Sequence, residues 1–168
     1  MRLSDYNGLI WWLLAIVLFL GGLGGCSGGD AGGQSLETPD GGPVVFKVGT
    51  VACPECHMDL KGLVDSAEFI DGKKVTVFDD PGCMVLWMDK HGIDPAQAKI
   101  YVYTRDTKRW IDATKAHYSQ TDPTPMGYGF GAYEKPAKDR IPFEEMRLRV
   151  LRGLTLKDPK IRKKLLGY

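Results

Sequence analysis

The chain is poor in the features that most often announce a function. Its 22 Lys and Arg stand against 21 Asp and Glu, a formal charge of +1, so no strong field is present to draw in nucleic acid. It contains no carboxylate pair, nucleophile elbow or phosphate-binding loop. The glycines of residues 127–131 lack the strand-to-helix context a nucleotide loop needs, and the protein is read as a non-enzyme. Histidines number only three and cysteines four. Residues 44–168 show no internal repeat. What remains is 168 residues with 43% hydrophobic and 26% charged side chains, the composition of one modest globular domain.

Charge and apolar character are unevenly placed. Residues 141–168 hold eight Lys/Arg and three Asp/Glu, a net +5, which leaves −4 on the rest. The one long apolar run, residues 9–20, follows Arg2 and ends in Gly21 and Gly22, which reads as an export leader rather than a full membrane span. Leu23-Gly24-Gly25-Cys26 resembles the lipobox of bacterial lipoproteins. That reading makes residues 1–25 a signal peptide and Cys26 the acylated first residue. The domain is then expected on the extracytoplasmic, periplasmic side of a bacterial membrane, anchored without spanning it. Residues 26–43 are rich in glycine and read as a flexible tether.

In the remaining chain, 44–48 and 73–78 read as strands, the latter entered through the turn Asp71-Gly72. Asp80-Pro81 marks a helix start running to about His91, with Gly92 as its stop. The segments 100–103 and 109–111 read as a hairpin. A short capped helix is expected from Asp112, and 127–133 as extended chain. Phe143, Met146, Val150 and Leu154 have helical spacing in a basic amphipathic tail, residues 141–168. The expected class is α+β: short antiparallel strands with a few helices, and a functional domain spanning 44–140.

The chemistry concentrates in Cys53-Pro54-Glu55-Cys56-His57-Met58. With Cys26 lipidated, Cys53, Cys56 and Cys83 remain, an odd number that excludes a pure disulfide framework. Several readings stay open. Cys53 and Cys56 can form a disulfide. Cys53-x-x-Cys56-His57 is also the string for c-type haem attachment, with a methionine as second axial ligand. Cys53, Cys56, Cys83 and a histidine can form a zinc knuckle. A thiol oxidoreductase needs a helix here, which Gly62 interrupts. Cu(I) uses the most residues, because thiolate and thioether are soft donors, and it gives Met58 a role. Cys83 reads as a packed helix-face residue, or as an added donor whose thiol pKa the helix start would lower. Met84 and Met88 read as core, and His91 and His117 as solvated or structural.

This string, followed by Phe78-Asp79-Asp80 with Cys83-Met84, then Ile100-Tyr101-Val102, Trp110-Ile111-Asp112-Ala113 and Thr124-Pro125-Met126-Gly127-Tyr128-Gly129, resembles NosL, a family of copper lipoproteins that accompany nitrous oxide reductase. The resemblance covers about residues 50–134. It implies a small fold of ββαβ units related to the organomercurial lyase core. It also implies a Cu(I) metallochaperone serving nitrous oxide reductase or another copper-requiring protein together with its assembly transporter. Carried over by position, Cys53 and Met58 match the family's donors, Cys56 is a second cysteine, and Met126 in its Thr-Pro-Met-Gly segment is a further candidate. At His57 the family commonly has glycine.

Overall fold

The computed structural model describes residues 36–167. The expected leader, the expected acylation site at Cys26 and the first part of the expected tether lie outside that range. The central layer is an antiparallel five-stranded sheet of β1 (Leu36–Glu37), β2 (Ala67–Asp71), β3 (Lys74–Phe78), β4 (Lys99–Tyr103) and β5 (Trp110–Asp112), in the order β1-β3-β2-β4-β5. A hairpin at Gly72, where φ is +58°, sets the register of β2 and β3, with Ile70 opposite Val75 and Glu68 opposite Val77. Helix α1 (Pro81–Lys90) follows β3, so the run β2-β3-α1-β4 is a ββαβ unit. Its Trp87 ring rests 5.6 Å from that of Phe69 and 5.5 Å from that of Phe78, centroid to centroid, which seats the helix on one face of the sheet.

A second antiparallel sheet pairs β6 (His117–Tyr118) with β7 (Ala132–Tyr133) and β8 (Ile141–Pro142). A 3-10 turn at Ala113–Lys115 joins the two sheets, capped by Asp112, whose carboxylate accepts from the Thr114 amide. Helix α2 (Phe143–Leu151) buries Phe143, Met146 and Val150, and α3 (Pro159–Leu166) buries nothing. The domain is therefore α+β, with antiparallel sheets and three helices among the described residues. None of those helices is long and apolar enough to cross a membrane.

Most expected elements appear, and the differences have local causes. Asp80 caps α1 and His91 ends it, as Asp80-Pro81 and Gly92 indicate. Met84 and Met88 are core, at 0% and 1% exposed. The strand expected over 44–48 does not form. The Val44 amide is used by the Glu68 carboxylate at 3.0 Å, and Leu36–Glu37 already occupies the outer edge of β3. That edge strand comes from the segment read as tether, and the Thr38 amide adds a bond to the Lys73 carbonyl. Of the extended stretch 127–133 only Ala132–Tyr133 pairs as strand. The C-terminal helix stops at Leu151, and Gly153 at φ +69° separates it from α3. Packing does not divide at residue 140: β8 and the buried side of α2 belong to the same core as α1, so only the end of the basic tail stands outside it.

Candidate metal centre

The Cys-rich string lies on a closed loop rather than a helix. Val51 and Leu60, 3% and 1% exposed, anchor its two arms in the core. The Leu60 amide bonds the Val51 carbonyl at 2.9 Å, and Ala52 bridges Asp59. The Cys53 amide then bonds the Met58 carbonyl at 2.9 Å, and the His57 amide bonds the Cys53 carbonyl at 2.8 Å. Closing so tight a loop requires a left-handed residue, and His57 supplies it at φ +62°. An L side chain there costs roughly 1–2 kcal/mol, which a glycine would avoid. Glu55 is tied to Lys90 of α1 at 2.5 Å, which lays the loop along the helix.

Opposite the loop, the chain leaves β3 and enters α1. The buried Asp80 carboxylate accepts from the Gly82 amide at 2.8 Å and from the Met126 amide at 3.2 Å. One side chain thus caps the helix and holds the 124–127 turn against it. Gly82 is required here, because a Cβ would run into the ring of Tyr128. This junction presents Asp79, 4% exposed, and Cys83, fully buried, to the loop.

The outcome is a cluster of four: the ligand atoms of Cys53, Cys56, Asp79 and Cys83 all lie within 4.8 Å of one another. The three cysteines are free. Cys56 Sγ donates to the Asp79 carboxylate at 3.3 Å, and burial pushes its thiol pKa up to about 12. Hydrogen bonding from the Cys83 thiol holds the Cys53 pKa below its ordinary value, and the same bond, with burial, drives that of Cys83 upward. The lowered Cys83 pKa expected from the helix start is therefore corrected. The hydrogen bond to Cys53 and the low-dielectric surroundings outweigh the helix terminus.

Cys53 and Cys56 are thus brought together as the string indicates. Cys83, read first as packing, joins them. Asp79 was legible only as part of a helix start, since the contact that recruits it spans 23 residues. Met58 is on the loop, 37% exposed, and lines a cleft of about 350 Å³ with Asp79, Val64 and Pro125. Met126 is half-buried beside Pro125, its backbone fixed by Asp80. His91 stacks on Trp87 with centroids 4.0 Å apart, a structural role, and His117 sits in β6.

Fold and site define a small α+β domain carrying a three-cysteine, one-aspartate group that could hold a metal ion. Compared with known proteins, the chain matches no protein-family model, no curated protein and no solved structure.

Proposed function

We propose that the protein is an extracytoplasmic metallochaperone that carries Cu(I), anchored to a bacterial membrane through Cys26, and that it acts by ligand exchange rather than catalysis. The observation that carries this reading is the convergence of Cys53, Cys56 and Cys83 with Asp79 at the edge of a cleft. Three sulfurs suit a soft monovalent ion, and Cu(I) accepts low coordination numbers, so donors can be exchanged one at a time. Met58, at the cleft and in the same loop, is the thioether donor most open to an incoming ligand. Met126 is a further donor in this proposal. The clients are those the NosL resemblance implies: nitrous oxide reductase, or another copper-requiring protein and its assembly transporter.

A haem reading of Cys53-x-x-Cys56-His57 leaves Asp79 and Cys83 without a part and would attach porphyrin to Cys53, which is 1% exposed. Zinc is the second reading that one observation favours. The fourth donor is a carboxylate oxygen, and three thiolates with one oxygen make a closed tetrahedral shell.

Anaerobic purification of the reduced chain followed by metal analysis and competition with a Cu(I) chelator separates these readings. Stoichiometric Cu(I), held against the chelator and abolished by replacing Cys53 and Cys56 together with Ser, is the expected result. Covalently bound porphyrin, tight zinc with no Cu(I) competition, or retention of copper by the double variant would each overturn it.

A further inference from the structure

The C-terminal face of the domain carries features that the metal site does not use. Leu148, Leu154 and Leu165 are 40%, 39% and 37% exposed, and they come from three successive segments: α2, the link after it, and α3. With Ile161 they line one groove of about 410 Å³, rimmed by Arg149, Arg152 and Lys164. Arg149 is paired with Glu145. Among the described residues Arg152, Lys160, Arg162, Lys163 and Lys164 take part in no ion pair. Every charged residue within α3 is basic.

α3 buries no residue, yet it is closed at both ends. Asp158 accepts from the Lys160 and Ile161 amides, and Gly167 terminates the helix in the left-handed conformation. A helix capped at both ends that buries no side chain among the described residues calls for a surface outside the fold. We infer that this face is a docking surface for an anionic lipid bilayer. The charge is complementary: residues 141–168 carry a net +5 in a chain of +1. The pattern of exposed leucines beside unpaired lysines and arginines is that of a helix lying in a membrane interface, its apolar side chains dipping in and its cations meeting headgroups. The fan of charge also favours a lipid surface over an acidic protein. Arg162, Lys163 and Lys164 are consecutive, so they spread over about 200° of the helix circumference. A single acidic stripe on a partner would meet only part of that arc, whereas long cationic side chains can bend toward headgroups on either side. This inference is independent of the metal reading.

The test uses the full chain on two kinds of vesicle, phosphatidylcholine alone and phosphatidylcholine with phosphatidylserine. The apolar leader contributes to binding on both, so the readout is the gain produced by phosphatidylserine. The native chain should gain on the order of a hundredfold or more and lose the gain in high salt. The variant K160Q/K163Q/K164Q should lose about fivefold per charge removed on the anionic vesicles, with unchanged binding to the neutral ones. Because α3 buries nothing, an unchanged thermal melt and unchanged copper binding are expected of that variant. Equal partition of the native chain to both vesicles would overturn the inference, as would a triple variant that keeps the gain. Binding to polyaspartate without any phosphatidylserine effect would overturn it too, in favour of an acidic protein partner.

Discussion

Asp79 and Met58 divide the work at the level of single residues. Asp79 is the one oxygen in a group of sulfurs, buried on one side and forming part of the cleft wall on the other. For a soft ion it is the weakest donor of the set. Replacing Asp79 with Asn should therefore leave Cu(I) affinity within about tenfold of the native value in a chelator competition, because three sulfurs remain, while a zinc-holding shell would suffer more from losing its fourth anionic donor. A larger loss for copper than for zinc would make the Asp79 carboxylate a principal copper donor and overturn its ranking as the weakest of the set. Met58→Ala should weaken Cu(I) binding while leaving the number of titratable thiols unchanged; untouched affinity would remove the thioether from the shell. His57 gives a third test. Substitution by Gly relieves the left-handed strain and should raise stability by about 1 kcal/mol, measured by urea unfolding, with copper binding retained. Loss of metal in that variant would make His57 a ligand.

The elements that were legible from sequence are those whose signals are local. Asp80-Pro81 announces α1 because a capping carboxylate and a proline act on the next few amides alone, and the pair β4 and β5 follows from alternation around a polar turn. The residues 44–48 alternate in the same manner, yet only Phe46 is buried while Val45 stays 81% exposed, and the Val44 amide answers to Glu68 on a different strand. Alternation records which side chains are inside, not which backbone has a neighbour. The candidate site has the same limit. Cys53, Cys56 and Met58 share one loop and could be read from their spacing, whereas Asp79 and Cys83 arrive through the β3-to-α1 junction. That junction depends on close packing at Gly82. A Gly82→Ala variant forces the Tyr128 ring away from the helix start, at a cost of about 1–3 kcal/mol despite alanine's better helix propensity. Thermal unfolding should show that loss; a variant as stable as the native protein would mean that the ring yields without strain.

For the molecule as a whole, the sheet carries an ionisable group where a protein of this size has little reserve of stability. Glu68 lies fully buried in the middle strand β2, with Oε2 accepting from the Val44 amide and Oε1 without a hydrogen-bond partner among the described residues. Burial raises its pKa from 4.5 to about 7. The folded state therefore holds the proton more tightly than the unfolded chain. The resulting stabilisation is fully present below about pH 4.5, falls as the unfolded chain ionises, and is lost once pH has risen through about 7. Asp80, raised by burial to about 6, pulls in the same direction. Asp106 and Asp112, held low by hydrogen bonds despite some burial, pull in the opposite one over a more acidic range. The net curve mixes these terms, but a difference between two chains isolates one of them. Glu68→Gln keeps an acceptor for the Val44 amide and cannot ionise. It should match the native protein near pH 4.5 and exceed it in unfolding free energy by on the order of 1–3 kcal/mol at pH 8, with the gap opening between those values. Urea titrations at intervals across that range provide the measurement. A gap that stays constant with pH would show that Glu68 is charged in the fold throughout, and that the segment carrying Val44 is held to the sheet by an ionised carboxylate.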